Sequence, residues 1–196
     1  MSRPLRAQRY AEGASPSLIW MITERLPYLS YHEATRFYAE FIPKLTPTEL
    51  ALLGCNDRYF LMTGMLNRSD ALPPKVTPKA AAWLYDRCRE VEAAPDGYID
   101  LWARFHWKSS ILSFAGVIQE ILCDPELTVG IFSITKDISE KFLKQIKDEL
   151  ETNEELKALY ADVLWENPRQ EASSWSLKGI TVKRRGNPKE ASCEAH

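Results

Sequence analysis

The hydrophobic pattern changes its period near residue 95, and this change constrains the fold more than any other feature of the sequence. Between about residues 30 and 93, apolar side chains recur at helical spacing. After Gly97, short runs rich in β-branched residues alternate with amphipathic helical segments. The order strand, helix, strand, helix, strand favours a parallel α/β sheet. We therefore predict an α/β protein with a helical N-terminal region, 1–95, followed by a sheet-containing domain, 96–196.

The first region is predicted to hold three helices, over about 31–42, 46–65 and 77–93. Thr46-Pro47-Thr48-Glu49 combines the cap, the proline and the carboxylate that open a helix, and Thr77-Pro78 repeats the first two. The inward-facing residues are predicted to be Ala34, Phe37, Tyr38 and Phe41 in the first helix, Leu50, Leu53 and Tyr59 in the second, and Ala81, Leu84, Tyr85 and Cys88 in the third.

The second region is predicted to contain strands at about 98–103, 128–135 and 179–184, with helices over 108–122, 137–152 and 154–160. The inward residues of the two longer helices are predicted to be Ile111, Phe114, Ala115, Ile118, Ile121 and Leu122, and then Ile138, Phe142, Ile146 and Leu150.

Composition excludes several classes of protein. With 25 Lys and Arg against 27 Asp and Glu, the chain has no overall basic excess, so any contact with nucleic acid must be local. The four cysteines form no CxxC pair, which disfavours a zinc or redox motif and favours free thiols in a reducing compartment. The apolar run Leu18–Ile22 is too short for a membrane span or a signal-peptide core. We therefore expect a cytoplasmic protein with no membrane partner.

The turn between the first predicted strand and the helix at 108 is the most informative segment. Lys108 followed by Ser109 at the start of a helix is what a triphosphate site requires, because the ammonium reaches the phosphates and the hydroxyl ligates Mg²⁺. The strict pattern GxxxxGK[ST] is not met, since Trp102 and Trp107 stand where the two glycines should be. Spacing alone therefore leaves open a surface turn whose charges are merely solvated.

The run Ala103-Arg104-Phe105-His106-Trp107-Lys108-Ser109-Ser110 resembles the deviant Walker A motif, ARxxxKS[ST], of tailed-bacteriophage terminase large subunits, the motors that package DNA. The resemblance covers roughly residues 98 to 195. It continues through Ile118–Leu122, Gly130–Ser133, Phe142–Lys147, Asp162–Trp165, Trp175-Ser176, Gly179–Arg185 and Asn187–Ala191.

The resemblance implies a P-loop ATPase fold, with ATP and Mg²⁺ as cofactors. Backbone amides of Phe105, His106, Trp107 and Lys108 would cradle the phosphates, and Lys108 would hold the β and γ phosphates. Ser109 would ligate Mg²⁺ with Ser110 beside it, while Arg104 would stabilise charge on the γ-phosphate. The implied partners are double-stranded DNA, a terminase small subunit, a portal protein and further copies of the chain, all in the cytoplasm of a bacterial host.

The sequence departs from the family pattern in two ways, and each departure leads to a further expectation. The family's Walker B strand, with its catalytic carboxylate, would follow the Glu190 region, and its nuclease domain would come later. The chain therefore resembles the front part of a large subunit with an incomplete sheet. We expect it to hydrolyse ATP at no more than background rate and to be poorly soluble alone. Cys193 and His196 depart from the apolar and aromatic residues usual at those positions, which suggests a divergent end.

One segment near the end of the sequence is strongly basic. Residues 178–189 hold five basic and no acidic side chains. These side chains fit contact with DNA phosphates, or an arginine finger supplied by Arg184 or Arg185, but equally a solvated strand edge.

The rival to an ATPase is a non-catalytic α/β interaction module, with a degenerate phosphate loop, that docks a partner through its helical block.

Overall fold

The computed structural model describes residues 4–66, 72–94, 99, 101–103, 106–186 and 189–196. The chain forms two compact units, Met1–Ile111 and Leu112–His196. The domain boundary predicted between 95 and 96 stays a prediction, because residues 95–98 lie outside the described part of the chain. None of the helices described there is long and apolar enough to cross a membrane.

The first unit is helical, as the period of its apolar residues predicts. A 3₁₀ turn, Gln8–Gly13, packs against α3, Pro47–Asn56. The remaining helical segments are α1, Pro16–Trp20; a π turn, Met21–Arg25; a 3₁₀ turn, Leu26–Tyr28; α2, Tyr31–Phe41; a 3₁₀ turn, Ile42–Lys44; α4, Arg58–Phe60; a π turn, Leu61–Met65; and α5, Pro78–Ala93.

Local caps explain where these helices begin. Thr46 and Glu49 form the reciprocal pair of hydrogen bonds that closes the first turn of α3, and Ser30 and Glu33 do the same for α2. Thr77 caps α5 by accepting from the amide of Ala80. All four residues predicted to face inward on α5 are buried, and Ala34 and Phe37 are buried on α2, but Phe41 is 39% exposed.

The second predicted helix does not run unbroken from 46 to 65. It ends at Asn56, because Asp57 adopts an extended conformation with φ −136° and ψ 99°. The Asp57 carboxylate then accepts from the amide of Phe60 at 2.9 Å and caps a new helix.

The second unit combines helices with one small sheet. A helix that begins at Lys108, in the first unit, continues through a π-helical segment, Ser110–Gly116, and is followed in the second unit by α6, Val117–Cys123. All six inward residues predicted between 111 and 122 are buried. The later helices are α7, Lys136–Thr152; α8, Glu154–Leu159; and α9, Pro168–Glu171. On α7, Ile146 and Leu150 are buried as predicted, whereas Ile138 is 37% exposed.

The sheet differs from the predicted parallel sheet. Its strands are β1, Val129–Ile131; β2, Gly179–Ile180; and β3, Cys193–Ala195, in the order β1-β3-β2. β3 pairs parallel with β1 and antiparallel with β2, so the described sheet is mixed. α7 packs against β1 and β3. The protein is thus α/β, but the parallel P-loop topology is not what the described residues form.

All three strand predictions need correction. The run 179–184 forms a strand only over β2, Gly179–Ile180. The run 128–135 forms a strand only over β1, and Phe132 and Ile134 beyond it are 78% and 93% exposed. The predicted strand at 98–103 is not formed by its described residues, 99 and 101–103. Ile99 and Leu101, two apolar residues of that predicted strand, are 79% and 90% exposed, so they contribute no buried face. Residues 98 and 100 lie outside the described chain.

The end of the chain supplies the central strand of the described sheet, which the sequence did not predict. Cys193 and Ala195 are buried in β3. The amide of His196 donates to the carbonyl of Ile131 at 2.9 Å, and the His196 ring stacks on Phe132 with centroids 4.9 Å apart. Alternation of buried and half-buried residues over three positions is too short a signal to predict a strand from sequence.

Candidate phosphate-binding loop

The predicted phosphate loop, 102–110, leads directly into a helix. Helical structure begins at Lys108, as the Lys-Ser-Ser sequence predicts, and the amide of Ile111 donates to the carbonyl of Trp107 at 3.0 Å. The first amides of a helix have no partner within the helix and point along its axis towards whatever precedes it. The 102–110 loop therefore presents such amides at Lys108 and the residues after it, as an anion site requires.

Trp107, the residue before this helix, has a left-handed backbone with φ +61°. Such a conformation is unfavourable for a bulky side chain by about 1–2 kcal/mol, and glycine adopts it without that cost. A left-handed residue followed by right-handed helical residues turns successive amides towards one point, which forms a concave nest for an anion. Trp107 thus adopts the backbone geometry for which the second glycine of a P-loop is used, although it is not glycine.

The loop borders an open pocket of about 450 Å³. Its lining is formed by Trp102, Ala103, His106, Trp107, Lys108, Ser109 and Ser110. Lys108 and Ser109 are exposed, whereas Ser110 is half-buried and Ile111, the next residue, is fully buried. A buried residue directly after the hydroxyls anchors the helix start while the ammonium and the first hydroxyl stay accessible.

Five of the predicted site residues therefore meet at one pocket, namely His106, Trp107, Lys108, Ser109 and Ser110. The other two, Arg104 and Phe105, lie outside the described residues, so their predicted roles are untested.

The described lining fits a metal ion only in part. Mg²⁺ prefers six oxygen ligands and is usually held by one or two carboxylates together with substrate phosphates. Ser109 offers one hydroxyl, and neither Asp nor Glu is among the pocket residues that the structure describes. In the described ranges, no three His, Cys, Asp or Glu side chains cluster closely enough to hold a metal. The arrangement suits a Mg²⁺ ion that arrives already bound to a nucleotide.

Trp83 on α5 contacts two residues that line this pocket, and the sequence does not predict these contacts. Its ring meets Trp102 edge-on, with centroids 5.6 Å apart and planes at 65°, and it meets His106 at 5.6 Å and 72°. The sequence suggests for Trp83 only a place in the core or at an interface. Nothing in the spacing of residues 83, 102 and 106 predicts the contact, since it joins a helix to a loop about twenty residues later.

The basic run in the second unit is largely engaged in contacts within that unit. Lys183 donates to the carbonyl of Ala161 at 2.8 Å, and Arg184 donates through Nε to Ser192 Oγ at 2.8 Å. Burial lowers the pKa of Arg184 from its usual value. The amides of Arg185 and Gly186 both donate to the Glu126 carboxylate, at 2.6 and 3.1 Å. These contacts shape a structural turn, and they leave a role in DNA binding or as an arginine finger a prediction.

A second charged cluster lies in the helical unit and is buried. Asp57 on the α3–α4 junction pairs with Arg89 of α5, and Arg89 also pairs with Glu92 at 3.2 Å. The Tyr38 hydroxyl donates to Asp57 at 2.5 Å. Burial raises the pKa of Asp57, opposed by the nearby Arg89 charge. Burial disfavours the charge on Arg89, but Asp57 and Glu92 outweigh it and hold the pKa of Arg89 well above its usual value.

Comparison with known protein families, with curated proteins and with solved structures finds no significant match to this chain. The resemblance to terminase large subunits therefore rests on the sequence motifs alone.

Proposed function

We propose that the 102–110 loop binds the phosphates of a magnesium nucleotide. The observation that carries this proposal is the left-handed backbone of Trp107 immediately before a helix that begins at Lys108. A non-glycine residue is held in such a conformation only where the surrounding structure enforces it, and such residues cluster at ligand sites. Here the enforced geometry is the one that turns amides towards an anion.

The side chains around this backbone are suited to the same ligand. The exposed Lys108 ammonium supplies a positive charge beside the helix amides, which favours the β and γ phosphates of a triphosphate. The Ser109 hydroxyl is accessible in the same pocket and supplies one ligand to the accompanying Mg²⁺. By the terminase resemblance, Arg104 adds a second cation near the γ-phosphate.

Binding of Mg-ATP and its hydrolysis have different structural requirements. Phosphoryl transfer to water needs a group that orients the attacking water and, in P-loop ATPases, a carboxylate near the metal. The described lining provides no such carboxylate: its polar side chains are one imidazole, two indoles, one ammonium and two hydroxyls. We therefore propose that residues 1–196 bind Mg-ATP and hydrolyse it at background rate.

A wider proposal, on the role of the whole chain, rests on the series of sequence motifs and not on the geometry of the pocket. The chain would be the ATP-binding part of a DNA-packaging motor of the terminase large-subunit kind. It would then act on double-stranded DNA in the cytoplasm of a bacterial host, together with a small subunit, a portal protein and further copies of itself. The ordered motifs from Ala103 to Ala191 support this assignment.

Calorimetric titration with Mg-ATP tests the binding step. Wild-type protein should bind, and Lys108→Ala should weaken binding by about 10- to 100-fold, the loss of a charge-assisted contact to phosphate. Lys79→Ala, which removes an exposed lysine from the first turn of α5, is the matched control and should bind as wild type does.

Equal affinity in wild type and Lys108→Ala would refute the site. It would favour the rival function, a non-catalytic interaction module with a degenerate loop. One observation speaks for that rival, namely that Trp102 and Trp107 occupy both glycine positions of the strict motif.

A further inference from the structure

Trp83 connects α5 to the 102–110 loop through two ring contacts. The two partners are Trp102 and His106. A single side chain therefore contacts two residues of the loop that are four positions apart. The two partners also line the pocket, together with Trp107 and Lys108.

The Trp83 ring is itself held in place on α5. Arg87, one turn later, places its guanidinium 5.9 Å from the Trp83 ring centroid, and Arg87 is ion-paired with Glu90 one turn further on. Within the described residues, the Nε of Arg87 is buried without a hydrogen-bond acceptor. Trp83, Arg87 and Glu90 thus form a stripe at helical spacing beside the buried face of α5.

This stripe differs from the face of α5 that builds the core. The core face is formed by Ala81, Leu84, Tyr85 and Cys88, all of which are fully buried. Trp83 is only half-buried, and its ring contacts lie in the loop. Its surroundings therefore point to a role in holding the loop.

We propose that Trp83 is a positioning residue that holds the 102–110 loop in its phosphate-binding conformation. The inference rests on the proposed function as far as the ligand is concerned. Each edge-to-face ring pair contributes about as much free energy as a left-handed non-glycine residue loses. Two such pairs offset the unfavourable backbone of Trp107, so Trp83 keeps the amide nest formed before the ligand arrives. Preorganisation of this kind improves affinity without any contact to the ligand.

The first arm of the test needs no ligand. Trypsin needs a locally unfolded backbone, and Lys108 lies in the first turn of a helix, so the cleavage rate after Lys108 reports how often the chain opens there. Trp83→Ala should raise that rate about tenfold, equivalent to one lost ring pair. Trp83→Phe keeps an aromatic edge and should restore the rate to within about threefold of wild type.

Tyr31→Ala is the matched control. Tyr31 is also a half-buried aromatic of the helical unit, with ring contacts to Tyr59 at 5.9 Å and Tyr85 at 6.0 Å. Its removal should lower the melting temperature at least as much as Trp83→Ala, yet leave cleavage after Lys108 unchanged at temperatures well below melting. A merely structural role for Trp83 would give both variants the same pattern.

The second arm measures the Kd for Mg-ATP by calorimetry. Trp83→Ala should raise Kd about tenfold and Trp83→Phe by no more than about threefold. If Trp83→Ala does not fold, Trp102→Ala removes one of the same ring pairs from the loop side and carries the same expectations.

The outcomes separate the two proposals. Wild-type cleavage and wild-type affinity in Trp83→Ala would overturn the positioning role, even if Lys108→Ala abolishes binding. Unchanged affinity in Lys108→Ala would overturn the nucleotide site, while faster cleavage in Trp83→Ala would still support the role of Trp83 in holding the loop.

Discussion

The helical unit contains two groups of polar and charged residues in opposite environments. Asp57, Arg89 and Glu92 have side chains that are 0%, 11% and 1% exposed, and they are paired with one another. Lys108 and Ser109 are exposed, beside a residue with a strained backbone. Charges in the first group are satisfied within the protein, whereas those in the second are accessible to a ligand. The first group therefore stabilises the fold, whereas the second group remains exposed at the proposed ligand site.

The largest effect should come from breaking the buried cluster. Asp57→Ala leaves Arg89 in a buried position without its nearest counter-charge and removes the cap of α4, so we expect a loss of about 3–5 kcal/mol in the free energy of unfolding. Urea denaturation monitored by circular dichroism measures it. Asp86→Ala, on the exposed face of α5, should change the same quantity by less than about 0.5 kcal/mol. A loss below about 1 kcal/mol in Asp57→Ala would mean that the cluster is not structural.

The backbone of Trp107 gives the next prediction, of intermediate size. Trp107→Gly and Trp107→Ala both remove the indole, but only glycine adopts φ +61° without steric cost. The glycine variant should therefore be the more stable of the two by about 1 kcal/mol, and it should bind Mg-ATP more tightly. At Ala82, inside α5, glycine should instead destabilise by about 0.5–1 kcal/mol. Equal stability of the two Trp107 variants would show that the left-handed backbone is not enforced.

The sequence predicts features that depend on near neighbours along the chain. The capping boxes at Ser30 and Thr46 and the buried face of α5 follow from residues within one or two helical turns. The Lys-Ser helix start at 108 follows for the same reason. These parts of the fold and of the site could be predicted because their causes lie in a short stretch of chain.

Features that depend on distant residues could not be predicted. The break at Asp57 is stabilised by Arg89, 32 residues later, and β3 exists because Cys193 pairs with Val129. The contact of Trp83 with His106 likewise has no local pattern. The sequence does contain one local signal for the backbone of Trp107. This residue occupies the second glycine position of the strict phosphate-loop motif, a position that favours a left-handed conformation.

A smaller effect concerns acid stability. Hydrogen bonds from Thr46 and Ser15 lower the pKa of Glu49 to about 2 from the usual 4.5, although partial burial opposes them. A carboxylate with a depressed pKa stabilises the fold above its unfolded-state pKa, and that contribution is lost as the pH falls from about 4.5 towards 2. Glu49→Gln should therefore flatten the loss of stability across this pH range, measured by urea denaturation at a series of pH values. Glu40→Gln, on the exposed side of α2, should leave the curve as in wild type.

The smallest effect on stability should come from the residue with the largest effect on binding. Lys108 is exposed and makes no ion pair among the contacts described, so its ammonium is not needed to balance a buried charge. Alanine is also a better helix former than lysine, and therefore Lys108→Ala should change the free energy of unfolding by less than about 0.5 kcal/mol. Urea denaturation without nucleotide measures this. With saturating Mg-ATP, wild type should gain stability by linkage and the variant should not, because only a folded, ligand-competent loop is stabilised by mass action. If Lys108→Ala instead lost several kcal/mol without nucleotide, the lysine would belong with Asp57 and Arg89 as a structural charge, and the contrast between the two groups would not hold.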